Sequence, residues 1–282
     1  KIGLITFHRA SNFGACLQAY ALQKYITDNI GTCILIDFRN NKPKRKHMRV
    51  ILSFVNHYLN PKNIRNNIVN AKFLNFRKKY FGRTTPKISG DENFKHYDFD
   101  NFSILISGSD QIFNLGLSNN SFAYYLPISG NFKKISYASS YGRDKINETE
   151  ATAIKRFLPS FSSLSFREQS GYRITSKIIN VRKENIVADP VLLLPKNSWE
   201  NFCTNHFPKR KYILVFAMEK SKELLSAIIA TKKKYKLPVY LIYGSNFKIK
   251  GCGKNLMFAG PRDFLTMIRN SEIVITNSFH GS

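Results

Sequence analysis

Two ionisable residues of this sequence have types and positions that suit chemistry on an anionic substrate. Arg167 comes directly after the short apolar segment 164–166, where its guanidinium could bind a carboxylate or a phosphate through two parallel hydrogen bonds. His280 lies between Phe279 and Gly281, just beyond the last apolar segment of the chain. That placement suits a proton donor or a phosphate ligand better than a packing role.

Other polar residues occupy the same kind of position, after an apolar segment. His8 and Arg9 follow the first such segment, and Asp110 follows a later one. Asp110 could also cap a turn, and for Asp189, which precedes a proline, a turn is the favoured interpretation. Gly14 more often allows a tight turn than touches a phosphate, although a helix N-terminus after a strand is a ready anion site. Each signal is weak alone, but the carboxyl ends of strands in an open α/β sheet are where ligands bind.

The order of the predicted elements is that of an α/β protein. Residues 2–7 form a predicted buried strand, a polar loop and a helix follow, and residues 33–38 form the next strand. This order opens a doubly wound parallel sheet. A second series begins after residue 200, with strands predicted at 212–217 and 239–243 and a last one before the terminal TNSFHGS. The loop after the first strand lacks GxGxxG, so the sequence does not support a nicotinamide cofactor.

We predict two Rossmann-like domains, residues 1–195 and residues 196–282. The first contains a basic, largely helical insertion at about residues 42–95. Within it, Phe73, Phe76 and Tyr80 recur at helical spacing. A stripe of this kind is more often the core-facing side of a helix than a platform for stacking RNA bases.

The 282 residues have a formal net charge of +26, from 44 Lys and Arg against 18 Asp and Glu. Such a field attracts polyanions, acidic lipid head groups and phosphorylated small molecules. A solvated lysine-rich surface is the favoured interpretation, and contact of the 42–95 segment with an anionic membrane is the alternative. There is no apolar run of bilayer length, no signal-peptide pattern and no CxxC pair. We therefore expect a cytoplasmic protein with reduced thiols and no zinc site, with peripheral contact at the inner face of the membrane as a further expectation.

Six stretches of the sequence occur in an order that resembles the polysaccharide pyruvyl transferase family. They are ITFHRASNFGACLQAYALQ, GSDQIFN, YASSYG, SFREQSG, ADPVLLL and GPRDFL…VITNSFHGS, and together they span nearly the whole chain. The resemblance implies two Rossmann-like domains that face each other across a cleft, as in the GT-B glycosyltransferases. It also implies transfer of a pyruvyl group from phosphoenolpyruvate to two hydroxyls of a sugar, usually as a cyclic ketal, without a metal or an organic cofactor. The implied partners are phosphoenolpyruvate and a glycan or lipid-linked saccharide acceptor, and no specific nucleic acid is expected.

Four residues are predicted to bind the donor. By resemblance, His280 is the donor-binding histidine and the candidate general acid, which would deliver a proton to the enol methylene. Arg167 would bind the carboxylate or the phosphate of phosphoenolpyruvate. Ser278 and the backbone amides around Gly281 could hold the phosphate.

Three further residues are predicted on the acceptor side. Asp110 is the predicted general base or ligand for an acceptor hydroxyl, and Asn12 and Gln18 are predicted to shape the acceptor side of the N-terminal loop. Asn277 stands where the family resemblance leads us to expect aspartate. We also expect further elements after residue 282, so the second lobe is predicted to be truncated.

Two other functions are compatible with these features. The first is a sugar-nucleotide-dependent glycosyltransferase of the GT-B type, which the predicted fold alone would favour. The second is a basic protein that binds polyanions or membrane surfaces without catalysis, which the net charge would favour.

Overall fold

The computed structural model describes residues 1–40, 61–181, 185–205, 210–243, 254–256 and 258–281 of the chain. The described residues form two compact units. The first contains residues 1–10, 17–40 and those within 80–194, and the second contains residues 11–16, 61–79 and those within 195–281. The chain passes between the units several times, the last time after Leu194. Residues 61–79, which we predicted to be part of an insertion in the first domain, belong to the second unit, and the rest of the predicted basic run, 41–60, lies outside the described residues.

A four-stranded parallel sheet lies at the centre of the first unit. In chain order, the strands of this unit are β1 (Ile2–Ile5), β2 (Cys33–Leu35), β3 (Phe38–Arg39), β4 (Ile88–Ser89), β5 (Ile104–Asp110) and β6 (Lys133–Ser139). The sheet order is β2-β1-β5-β6, and β3 and β4 pair separately. All four residues of β1 are buried, as expected for a parallel strand covered on both faces. The carboxyl ends of β2, β1, β5 and β6 therefore lie along one edge of this sheet.

Helices connect these strands or follow β6 in the chain. They are α1 (Phe13–Asn29), α2 (Pro61–Tyr80), α3 (Gly90–Lys95), α4 (Glu148–Phe157) and α5 (Gln169–Ser176), with short 3₁₀ helices at Ala123–Tyr125, Leu158–Ser160 and Pro190–Leu193. α4 begins in a reciprocal cap between the side chains and backbone amides of Asn147 and Glu150. In the described ranges, no helix combines the length and the apolar character needed to cross a bilayer.

The predicted strand over 33–38 is interrupted. β2 ends at Leu35, and the chain then bends so that Phe38 pairs with Ile88 of β4. The backbone N–H of Asp37 donates to the hydroxyl of Thr85 at 3.0 Å. The interruption places the Asp37 carboxylate beyond the carboxyl end of β2.

A second four-stranded parallel sheet lies at the centre of the second unit. Its strands are β7 (Ile213–Ala217), β8 (Val239–Tyr243), β9 (Lys254–Asn255) and β10 (Ile273–Thr276), in the order β10-β7-β8-β9. Its remaining helices are α6 (Lys196–Glu200), α7 (Lys222–Tyr235), α8 (Pro261–Asn270) and the 3₁₀ turn Phe279–Gly281. The two parallel sheets confirm the predicted α/β class with two Rossmann-like parts.

Aromatic side chains explain why α2 belongs to the second unit. Phe73 and Phe76 are 0% and 3% exposed, so the prediction of a core-facing stripe is confirmed for both residues. The Phe73 ring lies 5.3 Å from that of Phe13, and the Phe76 ring lies 5.3 Å from that of Phe202. Phe13 in turn stacks on Phe264 of α8 at 4.6 Å. The rings of Phe13 and Phe202 thus bury one face of α2, and this aromatic packing holds the helix in the second unit.

Candidate active site

The end of β5 has a backbone conformation that non-glycine residues rarely adopt. Ser109 and Asp110 have φ angles of 38° and 68°, and this left-handed region costs about 1 kcal/mol or more per residue. Hydrogen bonds hold the turn in place. The carbonyl of Asp110 accepts from the backbone N–H of Ile112 and of Ser140, and the Thr6 hydroxyl donates to the carbonyl of Ser109 at 3.1 Å. Strain of this kind concentrates at functional sites, which supports Asp110 as a site residue.

Arg167 lies among three carboxylates in the first unit. Its Nη1 is 3.3 Å from Oδ2 of Asp189 and 3.9 Å from Oδ1 of Asp110, and its Nε is 3.2 Å from Oε2 of Glu168. The Ser109 hydroxyl also donates to Asp189. The side chains of Arg167 and Asp189 are 4% and 3% exposed, whereas that of Asp110 is 12% exposed. The structure thus brings together the predicted residues Arg167 and Asp110, and it adds Asp189 and Glu168.

This carboxylate cluster, Asp110, Glu168 and Asp189 around Arg167, favours one kind of ligand. A buried charge needs a partner, and the guanidinium already has carboxylate partners. Three carboxylates around one guanidinium have a formal net negative charge, which disfavours a phosphate dianion, whereas sugar hydroxyls can donate to carboxylate oxygens without opening the ion pairs. The role of Arg167 as a donor clamp stays a prediction. In the described part of the chain, no three His, Cys, Asp or Glu side chains are placed to hold a metal ion.

A second charged cluster surrounds Asp37 at the same edge of the first sheet. The Asp37 carboxylate accepts from Nη2 of Arg39 at 2.7 Å and from Nη1 of Arg9 at 3.2 Å, and it lies 3.4 Å from Nε2 of His8. Burial alone would raise the pKa of Asp37. Hydrogen bonds from His8 and Arg39, together with the charge of Arg9, outweigh burial and hold that pKa well below its usual range. Asp37 and Arg39 were not among the predicted site residues, and the available signal was a carboxylate inside an otherwise apolar segment.

Gln18 stabilises this edge of the sheet through a buried hydrogen bond. Its side chain is fully buried, and its Nε2 donates to the Thr6 hydroxyl at 2.9 Å. The Thr6 hydroxyl in turn donates to the backbone carbonyl of Ser109. The structure therefore gives Gln18 a part in positioning the strained turn at Asp110, in place of a surface that a substrate could reach.

In the second unit, the first turn of α1 packs against His280. Asn12 caps this helix, because its Oδ1 accepts from the N–H of Ala15 at 3.1 Å and its carbonyl accepts from Cys16. Gly14 has no side chain, and a Cβ added there would overlap Cγ and Nδ1 of the His280 imidazole. The structure thus gives Asn12 a capping role, and it places the backbone of Gly14 in contact with the imidazole of His280.

The turn that holds His280 is closely packed. The N–H of Ser278 donates to Oγ1 of Thr276 at 3.0 Å, and the N–H of Gly281 donates to the carbonyl of Ser278 at 2.9 Å. A Cβ added to Gly281 would overlap the Thr276 hydroxyl and lie 2.7 Å from Cδ1 of Phe216. Glycine is therefore required at residue 281 by close approach, and the turn fixes the backbone on both sides of His280.

A model of the polysaccharide pyruvyl transferase family matches residues 12–282. The chain belongs to this family. Every residue predicted to act in catalysis or binding lies inside the matched region. No curated protein matches the sequence.

Several solved structures are similar to this pyruvyl transferase family member at low sequence identity. UDP-GlcNAc 2-epimerase from Methanocaldococcus jannaschii is 11% identical with a TM-score of 0.45, and the match covers 98% of this chain and 78% of that chain. E. coli heptosyltransferase WaaC with ADP is 10% identical with a TM-score of 0.40, covering 98% and 81%. UDP-GlcNAc 2-epimerase from Neisseria meningitidis bound to UDP-GlcNAc is 12% identical with a TM-score of 0.43, covering 98% and 77%.

Within this family member, six of the predicted residues form two groups. Asp110 and Arg167 lie together in the first unit, and the second group, in the second unit, consists of Asn12, Ser278, His280 and Gly281. Asn277, where we expected aspartate, uses both ends of its amide. Its Oδ1 accepts from the N–H of Met218 at 2.9 Å, and its Nδ2 donates to the carbonyl of Glu219 at 2.9 Å. This pair of bonds ties the His280 turn to the loop after β7.

Proposed function

We propose that the protein transfers the pyruvyl group of phosphoenolpyruvate to two hydroxyls of a saccharide, forming a cyclic ketal and releasing inorganic phosphate. One observation supports this more than any other: the contact between Gly14 and His280. Gly14 belongs to the stretch NFGACLQAYALQ and His280 to NSFHG, the two ends of the family resemblance. Two segments separated by more than two hundred residues thus pack together around the side chain of one histidine.

In this proposal, the His280 group binds the donor. The imidazolium gives its proton to the C3 methylene of phosphoenolpyruvate, which becomes a methyl group, and positive charge develops at C2. The N-terminal turn of α1, which touches the imidazole, presents the positive end of the helix dipole to an anion. Ser278 and the amides beside Gly281 are the proposed ligands of the phosphate.

The carboxylate cluster around Arg167 is the proposed site for acceptor hydroxyls. Asp110, the most exposed carboxylate after Glu168, would accept the proton of the first hydroxyl as its oxygen bonds to C2. The C2–O bond to phosphate then breaks, and the second hydroxyl closes the ring. Of the two hydroxyl protons, one replaces the proton that His280 gave up, and the other leaves with the phosphate. Arg167 would hold the carboxylates in position for this task through its ion pairs.

The decisive assay is phosphate release from phosphoenolpyruvate with a panel of glycan acceptors, next to a thermal shift with phosphoenolpyruvate alone. A ligand of the native state raises the melting temperature. We expect a rise in the wild type and in His96→Gln, which alters an exposed histidine, and no rise in His280→Gln. No rise at millimolar donor and no phosphate release with any acceptor would sink the proposal. Turnover of nucleotide sugars instead would support the glycosyltransferase alternative.

We also propose peripheral contact with an anionic membrane through α2, because this helix exposes apolar side chains among its basic ones. Ile64, Ile68 and Leu74 are 42%, 40% and 39% exposed. The helix has no Asp or Glu, and its basic residues are Lys62, Arg65, Lys72, Arg77, Lys78 and Lys79. A basic helix with an exposed apolar face is typical of interfacial binding to anionic lipids.

Vesicle flotation tests the membrane contact. We expect binding to vesicles that contain phosphatidylglycerol, loss of binding in the double variant Ile68→Ser, Leu74→Ser, and no loss in Leu117→Ser. Leu117 is 56% exposed in the first unit and serves as the matched control. Equal flotation with neutral vesicles, or no effect of the double variant, would count against α2 as the contact surface.

A further inference from the structure

The pair Arg9 and Arg39 is a second cationic site, and neither residue has a part in the mechanism above. We propose that these two arginines, held by Asp37, bind an anionic group of the acceptor saccharide, either a uronate carboxylate or a sugar phosphate. This inference rests on the proposed function only where it identifies the ligand as the acceptor saccharide. The anion site itself rests on the geometry of the three side chains.

Asp37 anchors the two guanidinium groups. Arg39 binds it with two atoms, Nη2 at 2.7 Å and Nε at 3.4 Å, and Arg9 binds it through Nη1 at 3.2 Å. Asp37 is itself fixed, because its N–H donates to Thr85 at 3.0 Å and the residue is 8% exposed. An arginine held by a buried carboxylate loses less side-chain entropy when it binds a ligand than a mobile one does.

The cluster keeps donors and positive charge available. A guanidinium has five N–H donors, and one carboxylate cannot use those of two arginines. The side chains of Arg9 and Arg39 are 39% and 37% exposed, so solvent reaches both. Among the described residues, Asp37 is the acid that pairs with them, which leaves two cations against one anion. A planar guanidinium with spare donors matches the oxygens of a carboxylate or a phosphate.

The position of the pair favours the acceptor. Nδ1 of His8 lies 3.1 Å from the carbonyl of Thr6, and the Thr6 hydroxyl donates to Ser109, the neighbour of Asp110. The arginine pair and Asp110 thus belong to one polar edge of the first sheet. Asp37 follows β2 and Asp110 ends β5, two strands away, so the spacing along the edge is about 10 Å. An oligosaccharide whose reacting hydroxyls lie at Asp110 can place the acidic group of a neighbouring sugar unit at the arginine pair.

Calorimetry with small probes tests the site directly. The probes are glucuronic acid, glucose 1-phosphate and methyl glucoside, which present a carboxylate, a phosphate and no charge. We expect the wild type and Arg173→Gln to bind at least one anionic probe about tenfold more tightly than the neutral probe. Arg173 is an exposed arginine of α5 and serves as the matched control. In Arg9→Gln and Arg39→Gln, that preference should fall about tenfold.

The probe that binds most tightly also shows which anionic group of the acceptor the site recognises. Preference for glucuronic acid assigns an acidic sugar, and preference for glucose 1-phosphate assigns a phosphorylated or lipid-linked acceptor. Equal binding of all three probes by the wild type, or an unchanged preference in Arg9→Gln, would overturn the site. If Arg39→Gln fails to fold because Asp37 loses its closest partner, Arg9→Gln and Arg9→Lys still decide the question.

The thermal shift with phosphoenolpyruvate separates this inference from the proposed function. We expect the shift to be the same in Arg9→Gln and in the wild type. Loss of the shift in Arg9→Gln would assign the pair to the donor and overturn the acceptor assignment. Absence of the shift in the wild type, with binding of an anionic sugar retained, would contradict the proposed function and leave the anion site standing.

Discussion

The imidazole of His280 lies against the backbone of Gly14, where any side chain at residue 14 would overlap it. We expect Gly14→Ala to displace the imidazole without harming the helix, because alanine is about 0.5–1 kcal/mol more favourable than glycine within a helix. Phosphate release from phosphoenolpyruvate should fall about 100-fold, the scale of a lost general acid. The melting temperature should change little, and steady-state kinetics with a thermal scan checks both outcomes.

The matched control for this variant is Gly116→Ala. Residue 116 lies in a loop of the first unit, and the nearest atom to an added Cβ there is 3.2 Å away. The control should keep its turnover. Full turnover in Gly14→Ala would mean that the position of the imidazole does not matter to the reaction.

Asn277→Asp tests whether the amide or a carboxylate is needed beside His280. The amide donates to Glu219 and accepts from Met218, and aspartate can keep the second bond alone. We expect the free energy of unfolding to fall by about 1 kcal/mol and turnover to fall with it, as the turn loosens. Urea unfolding and phosphate release measure the two effects. A faster Asn277→Asp enzyme would show that a carboxylate serves His280 better than the amide does.

The parallel sheets and the strand-end residues could be predicted from the sequence because buried parallel strands are continuous apolar segments. β1 and β7 are buried at every position, and the residues after such segments must lie at the sheet edge. This is why Asp110 and His280 could be named. The same patterns are local, however, and say nothing about partners that are distant in the sequence.

Three features depend on such distant partners and were missed for that reason. The spacing of Phe73 and Phe76 shows that one face of α2 is buried, but not that Phe13 and Phe202 bury it. The break before Asp37 depends on Thr85, which is 48 residues away in the chain. The interior place of Gln18, likewise, requires the Thr6 hydroxyl as its partner.

Asp37→Asn should reveal the stabilising effect of the arginine pair as a dependence on pH. The pKa of Asp37 is held below its usual value of 3.8, so the folded state favours the ionised form. The contribution to stability is therefore full above about pH 4 and is lost as the pH falls further. At pH 7 we expect the variant to lose about 2 kcal/mol of unfolding free energy. The gap should be smaller at pH 3 and should close only as the pH falls through the depressed pKa of the folded state.

Urea unfolding at pH 7 and pH 3 measures this difference. Asp28→Asn is the control, because Asp28 is 48% exposed in its pair with Lys24 and exposed pairs contribute little. A constant gap between Asp37→Asn and the wild type at both pH values would show that the carboxylate charge is not what stabilises the cluster.

Arg167→Gln distinguishes the two roles that this residue could have. The change leaves Asp110, Glu168 and Asp189 without their shared cation, so we expect a loss of about 3–5 kcal/mol of stability. If the cluster binds acceptor hydroxyls, as we propose, the KM for the acceptor rises and kcat falls, while phosphoenolpyruvate still raises the melting temperature. If Arg167 clamps the donor, that rise disappears.

Arg167→Lys completes the comparison. Lysine keeps a cation near the carboxylates but lacks the planar fork that binds two oxygens at once. We expect Arg167→Lys to recover most of the lost stability and part of the turnover, because pairing with the carboxylates requires charge more than geometry. Recovery of stability without any recovery of turnover would instead mean that the fork itself contacts a substrate. The thermal shift with phosphoenolpyruvate, measured on both variants, then shows whether that substrate is the donor.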